Sequence, residues 1–125
     1  MPLPYPSLKP CPCGSGRSYA ACCEPAHRGA APETPEALMR SRYAAYVLQD
    51  EAYLLASWHP ETRPGTLDLS DGTRYLGLRV YRAQGDEVTF TATLRLPDGH
   101  RAQLRERSTF ARLDGRWVYV DGVTP

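Results

Sequence analysis

The stretch VTFTATLRL at residues 88–96 decides the fold, because apolar residues alternate along it with threonine or arginine. Successive side chains of a β-strand point to opposite faces, so Val88, Phe90, Ala92, Leu94 and Leu96 share one face. Threonine and the β-branched and aromatic residues also favour extended backbone. The stretch is therefore predicted to be a strand with one face in the core and the other toward solvent.

Glycine next to aspartate punctuates the chain on both sides of this strand, at 71–72, 85–86, 98–99 and 114–115. Such pairs permit the positive φ that tight hairpin turns require. The segments between them predict an antiparallel meander of four strands from Thr73 onward. A short fifth strand is expected at Thr66 to Leu69.

Two helices are predicted before the strands begin. Thr34 can cap free N–H groups, Pro35 is preset for a first helical turn, and Glu36 favours the positive end of the helix dipole, so a helix should run from here to about Gln49. A second helix is expected from a cap at Asp50 through Trp58. Helices followed by strands indicate an α+β fold.

All the cysteines lie close together near the N-terminus, in the pattern C-x-C followed by an adjacent pair: Cys11, Cys13, Cys22 and Cys23. Four thiolates this close in sequence can surround one tetrahedral Zn²⁺, and the glycines of the 14–16 loop let the backbone fold back between them. The fourth ligand is Cys23 or, alternatively, His27. Disulfides and free thiols are the rival interpretations, and vicinal bridges would close strained rings. Residues 24–32 are read as a linker.

The run CPCGSGRSYAACC at 11–23 resembles the SEC-C zinc motif. The segments LMRSRYAAYV (38–47), SWHPET (57–62), RYLGLRV (74–80) and RERSTFARLDGRWVYVDG (105–122) together resemble the YchJ family of small bacterial proteins. That resemblance implies a SEC-C-like zinc knuckle at 1–30. It also implies a cone-shaped nuclear transport factor 2-like domain at 31–125, with two helices packed on a curved antiparallel sheet. It implies no activity.

Several polar residues are candidates for the interior of such a cone. Alternation along 101–113 places Glu106 on the core side, where a carboxylate needs a donor, and Arg42 at the edge of the apolar stripe of the first helix is predicted to contact Glu106 or Asp121. His59 with one of these acids could move protons, which keeps an enzyme interpretation open. Other expected cavity residues are Trp58 and Tyr119.

Length, composition and charge restrict the function classes. The chain has 125 residues, is 42% hydrophobic and carries a net charge of +1, which gives no global attraction to nucleic acid or membranes. No apolar run suits a membrane span, and the proline-rich start lacks the apolar region of a signal peptide, so a soluble, cytoplasmic protein is expected. The face with Arg95, Arg105 and Arg107 is read as solvated or as a homodimer surface; a nucleic-acid role is weakly supported.

Two function classes follow from the sequence. The first is a binding or adaptor module whose zinc knuckle contacts a protein partner, because a zinc ion with four thiolate ligands has no open position for chemistry. Its expected interface residues are Arg17, Tyr19 and Arg28. The second is a small-molecule enzyme or ligand carrier that uses the cone. A cavity in which His59 and an acid converge would favour the second class.

Overall fold

Two helices of the domain begin at the residues that the sequence predicts. In the computed structural model, which describes residues 2–125, helix α1 spans Glu24–His27, α2 Pro35–Val47 and α3 Glu51–Ala56, after a 3₁₀ turn at Tyr19–Ala21. The side chains of Thr34 and Asp50 accept hydrogen bonds from N–H groups of the first turns of α2 and α3. Both helices end two residues earlier than expected, α2 at Val47, shortly before Gln49 adopts a positive φ of 57°, and α3 at Ala56.

The four expected strands form one antiparallel sheet in sequence order: β1 Arg74–Gln84, β2 Glu87–Arg95, β3 Arg101–Leu113 and β4 Arg116–Val123. Strands β2 and β3 pair without interruption, with Phe90 opposite Glu106 and Ala92 opposite Leu104. Val88, Phe90 and Ala92 are buried, which confirms the predicted core face of β2.

The short fifth strand is absent from the described residues, and that prediction is wrong. Residues 66–69 have no regular structure. The backbone N–H of Leu67 donates instead to the Glu51 carboxylate at 2.7 Å, which attaches this segment to α3 rather than to the sheet.

The linker predicted at 24–32 is also partly wrong, because Glu24–His27 is the helix α1. Its last residue is fixed from two sides. His27 Nδ1 lies 2.6 Å from the Tyr19 hydroxyl, and His27 Nε2 lies 2.8 Å from the backbone carbonyl of Ser41. The first bond attaches α1 to the 3₁₀ turn, and the second attaches it to α2.

The N-terminal segment and the helix–sheet domain share one hydrophobic core. Cys11, Cys13, Tyr19 and Cys23 belong to the same buried cluster as Leu38, Met39, Tyr43, Phe90 and Phe110. The backbone N–H of Leu3 donates to the carbonyl of Leu48 at the end of α2, at 2.7 Å. The cysteine segment is therefore part of the packed protein. No helix among residues 2–125 is long and apolar enough to cross a membrane.

Candidate metal centre and cone cavity

The four cysteines meet at one point, as the spacing predicts. One Sγ atom from each lies within 4.8 Å of the other three. The Cys13 and Cys22 sulfurs are 3.5 Å apart, and the Cys22 and Cys23 sulfurs are 3.8 Å apart. A tetrahedral Zn²⁺ with Zn–S bonds of about 2.3 Å separates its sulfurs by about 3.8 Å, so the cluster fits that ion. All four thiols are free of disulfides.

The loop between the two cysteine pairs has the geometry that this convergence requires. Gly14 and Gly16 adopt φ values of 78° and 87°, which side-chain-bearing residues rarely adopt. The Gly14 N–H donates to the Cys11 carbonyl at 3.0 Å, and the Cys11 N–H donates to the Arg17 carbonyl at 2.8 Å. The Ser15 hydroxyl lies 3.1 Å from the Cys22 sulfur. The loop therefore turns back and presents both pairs to one point.

Two arginines lie against the sulfurs. Arg40 of α2 donates to the Cys13 carbonyl at 3.2 Å and approaches its Sγ at 4.0 Å, and Arg17 approaches the Cys22 Sγ at 3.7 Å. Although burial opposes the charge, hydrogen bonds to Glu36 and Cys13 raise the pKa of Arg40. If Zn²⁺ were bound to four thiolates, these two guanidinium groups would balance the formal charge of about −2 of that centre.

The thiols differ in how readily each holds its proton. Hydrogen bonds from Cys11 and then Cys23 lower the pKa of the Cys13 thiol. The same contact raises the pKa of Cys11 to about 12, and hydrogen bonding to Cys11 and Cys13 raises that of Cys23. The Arg40 guanidinium, 4.0 Å from the Cys13 sulfur, also favours the thiolate form of Cys13.

His27 does not serve as the fourth ligand in this arrangement. Both ring nitrogens are already hydrogen-bonded, to Tyr19 and to the carbonyl of Ser41, as described for α1. Its ring also packs edge-on against Tyr53, with centroids 4.8 Å apart. The side chain is a structural link between α1, α2 and α3.

Of the three expected interface residues, Tyr19 is misassigned. It is only 6% exposed, and its ring packs against Tyr5 with centroids 5.4 Å apart. Arg17 and Arg28 are exposed, and the Arg28 side chain pairs with Glu24 at 3.3 Å. Leu8, which sequence reasoning missed, is 88% exposed three residues before Cys11. The exposed rim of the knuckle is therefore Leu8, Lys9, Arg17 and Arg28.

The cone contains a partly open cavity of about 230 Å³ between α2, the residues after α3 and the inner face of the sheet. Four of the six expected cavity residues line it, namely Arg42, Trp58, Glu106 and Tyr119. The other wall residues are mostly aromatic or aliphatic, with Ser108 as an additional polar group. The cavity is thus largely apolar, with one cation and one carboxylate.

The predicted ion pair of Arg42 with Glu106 or Asp121 is wrong. Arg42 is only 6% exposed, yet its Nη1 donates to the Leu54 carbonyl at 2.8 Å and to the Ser57 hydroxyl at 2.7 Å. Its guanidinium carbon lies 4.8 Å from the Trp58 ring centroid and 4.6 Å from that of Tyr119. The end of α3 and two aromatic rings therefore satisfy the charge. Burial lowers the pKa of Arg42.

Glu106 faces the cavity, as alternation predicts, but its donors are hydroxyls. Its Oε2 accepts hydrogen bonds from Ser108 at 2.5 Å and from Tyr119 at 3.0 Å. Burial, followed by the negative charge of Glu106, raises the pKa of Tyr119. Ser108 could have been found from the sequence, because it lies two residues from Glu106 on the same strand face.

His59 and Asp121 lie outside the cavity, so the predicted convergence of a histidine and an acid is not observed. The His59 ring turns toward the following loop, where Nδ1 accepts the Glu61 N–H at 3.1 Å. Asp121 is exposed and pairs with Thr109 on the opposite face of the sheet. Helix α3 has already ended at Ala56, and the backbone N–H of His59 donates to the Tyr119 carbonyl at 2.7 Å, which attaches this position to β4.

Comparisons with known proteins match both parts of the chain. The profile of the YchJ middle NTF2-like domain matches residues 34–122, and that of the SEC-C motif matches residues 9–25. A UPF0225 protein of Deinococcus radiodurans is 64% identical over 119 residues, covering 94% of this chain and 91% of the relative. UPF0225 protein SCO1677 of Streptomyces coelicolor is 50% identical, covering 98% and 97%.

Two solved structures resemble the chain. The solution structure of RPA3114, a SEC-C motif containing protein from Rhodopseudomonas palustris, is 37% identical with a TM-score of 0.81, covering 94% of this chain and 99% of that one. The crystal structure of a SEC-C motif containing protein from Psychrobacter arcticus has a TM-score of 0.69 at 24% identity, covering 92% and 82%. The latter similarity supports the fold alone.

Proposed function

The chain belongs to the YchJ (UPF0225) family, and from that premise we propose that it is a cytoplasmic binding protein with a structural Zn²⁺ whose knuckle contacts a protein partner. Leu8 carries the proposal, since it is an 88% exposed leucine three residues before Cys11 and next to the exposed cation Lys9. An apolar anchor with a polar rim is the composition of a protein interface. The four free thiols suit the reducing cytoplasm.

The zinc ion in this proposal is structural because the ligand set is closed. Cys11, Cys13 and Cys23 are no more than 4% exposed, and Cys22 is partly exposed. Four thiolates leave no coordination position for a water molecule or substrate. When bound, the metal supplies folding free energy and fixes the cysteine segment that follows Leu8 in the chain.

The test compares the purified wild-type chain with Leu8→Asp in affinity capture from cell extract, followed by chemical cross-linking of the retained proteins. A partner that binds through the rim should be retained by the wild type and lost from the variant, with cross-links from Lys9. Leu76→Asp is the matched control, since Leu76 is also exposed, at 40%, but lies on β1. Zinc content and melting temperature should match in all three proteins. Identical capture by Leu8→Asp and wild type would refute the partner-binding role.

A second candidate function is transport or sensing of a small molecule in the cone. The supporting observation is the 230 Å³ cavity with Glu106 on its wall, whose two hydrogen bonds both end on Oε2. Among residues 2–125 no side chain donates to Oε1, so a ligand hydroxyl or amine could do so. The absence of a histidine beside Glu106 favours a carrier over an acid–base enzyme.

Ligand-observed NMR with benzyl alcohol, benzylamine and benzoate tests this second candidate, because a cavity of this size accepts one aromatic ring. The donors benzyl alcohol or benzylamine should show saturation transfer, and benzoate should not. Ala92→Leu, which adds volume to the cavity wall, should abolish the signal. A signal that survives Ala92→Leu would place binding elsewhere and reject the cone as a carrier.

A further inference from the structure

The outer face of the sheet, away from the cone, collects arginines around one exposed tyrosine. The cross-strand neighbours of two outward threonines of β2 are all arginines: Arg79 and Arg105 flank Thr91, and Arg82 and Arg107 flank Thr89. All four arginines are exposed. We call Arg79, Tyr81, Arg82, Arg105 and Arg107 the arginine face.

Tyr81 forms the centre of this face. It lies at the register shift between Val80 and Arg82, where an extra residue in β1 redirects its side chain. The ring is 48% exposed, and the guanidinium carbons of Arg79 and Arg105 lie 5.0 and 5.2 Å from its centroid. The two cations and the ring therefore form a preassembled platform of planar groups.

The charges at the other end of the face are only partly balanced. Arg82 and Arg107 line a shallow cleft of about 300 Å³ with Glu87. Glu87 approaches Arg107 at 4.0 Å, and Arg82 is hydrogen-bonded to the neutral side chain of Gln84. Four guanidinium groups thus outnumber two carboxylates on this face, those of Glu87 and of Asp121 on β4, in a chain whose net charge is only +1. The face has a local positive field that the overall charge conceals.

We propose that the arginine face binds single-stranded nucleic acid, with the arginines on phosphates and a base stacked on Tyr81. Planar guanidinium groups match phosphate oxygens in bidentate geometry, and an exposed ring on a sheet surface accepts unpaired bases without sequence preference. A second copy of this chain is a poor occupant, because a twofold interface would place arginines against arginines. The proposal is independent of the knuckle and of the cone.

Fluorescence anisotropy with labelled uridine and thymidine oligonucleotides of about 12 nucleotides tests the proposal, with a duplex of the same length for comparison. The single strands should bind more tightly than the duplex, and the RNA and DNA arms identify the preferred strand. Tyr81→Ala should weaken single-strand binding roughly tenfold, while Tyr81→Phe retains the ring and should bind as the wild type does. Replacing Arg105 and Arg107 with alanine should reduce the salt-dependence slope by about 1.4.

The matched control is Arg63→Ala, which removes an exposed arginine from the segment after α3, outside the sheet, and should leave the affinity unchanged. Three results would overturn the proposal: no binding at low salt, equal affinity of wild type and Tyr81→Ala, or equal affinity for the duplex. Light scattering supplies a fourth. A stable wild-type dimer that Arg105→Glu dissociates would show that the face is a self-interface. Unchanged zinc content and melting temperature establish that each variant is folded.

Discussion

Replacing Gly122 with alanine tests how tightly the Glu106 carboxylate is held in the cone. A Cβ at position 122 would lie 2.2 Å from both Cδ and Oε2 of Glu106, closer than side chains can approach. Glu106 can escape only by rotating away from Ser108 and Tyr119, whose hydroxyls hold it at 2.5 and 3.0 Å. Hydrogen bonds to a charged group contribute about 1.5–3 kcal/mol each, and partial relaxation recovers some of this. We expect Gly122→Ala to lower the free energy of unfolding by about 2–4 kcal/mol.

Urea unfolding of the zinc-loaded protein measures this loss, and a double-mutant cycle assigns it. Glu106→Ala removes the carboxylate that the new Cβ would strike. Gly122→Ala should therefore lower the free energy of unfolding by at least about 1 kcal/mol less in the Glu106→Ala background than in the wild type. Gly77→Ala is the matched control, because Gly77 lies in β1 with no atom within 4 Å of the added Cβ. It should change stability by less than about 1 kcal/mol. A Gly122→Ala loss below about 0.5 kcal/mol, or additive effects with Glu106→Ala, would refute the reasoning.

Three further predictions concern the metal, the buried cation and the tyrosines. Elemental analysis should find one zinc ion per chain, and chelation should lower the melting temperature. Because Tyr19 and Tyr43 share a core with the cysteines, chelation should also alter the near-ultraviolet circular dichroism of the aromatic side chains, and an unchanged spectrum would argue against that coupling. Arg42→Lys should lower the free energy of unfolding by about 1–3 kcal/mol, because an ammonium cannot reproduce the flat contact with two rings; urea unfolding as stable as the wild type would contradict it. Burial raises the pKa of Tyr43 and Tyr75 to about 12. In the unfolded chain these tyrosines ionise near pH 10, so their contribution to the free energy of unfolding is complete below pH of about 10 and should be lost as the pH rises to about 12. The difference in phenolate absorbance between the folded, zinc-loaded wild type and its Tyr43→Phe and Tyr75→Phe variants checks the prediction, and a difference that titrates near pH 10 would contradict it.

Local patterns predicted those features that depend on neighbouring residues alone. Alternation placed Phe90 and Glu106 on the inner face, and the caps at Thr34 and Asp50 located the starts of α2 and α3. The cysteine spacing predicted the cluster, because the ligands of a compact metal site are close in sequence. Each of these inferences needs only the geometry of a single element.

The errors arose where two elements meet. Arg42 was expected to pair with a carboxylate, but the end of α3 approaches α2 closely enough for the Leu54 carbonyl and the Trp58 ring to receive the guanidinium. Helix periodicity does not specify which residues of a second helix lie opposite. Tyr19 was expected at the surface for the same reason, since its partner His27 becomes a neighbour only when α1 forms. Charge complementarity alone suggests that every buried arginine pairs with a carboxylate. Backbone carbonyls and aromatic rings can also stabilise a buried guanidinium, as they do for Arg42.

Helix α2 connects the metal centre to the cone, and this connection limits how independent the two sites can be. Arg40 donates to the Cys13 carbonyl, and Arg42, on the same helix, extends into the cavity between Trp58 and Tyr119. His27 adds a second attachment through the carbonyl of Ser41, the residue between them. A shift of α2 on metal loss would therefore move the cavity wall as well. If bound zinc raises the affinity of the cone for a ligand, thermodynamic linkage requires that the ligand raise the affinity of the cysteine cluster for zinc by the same factor.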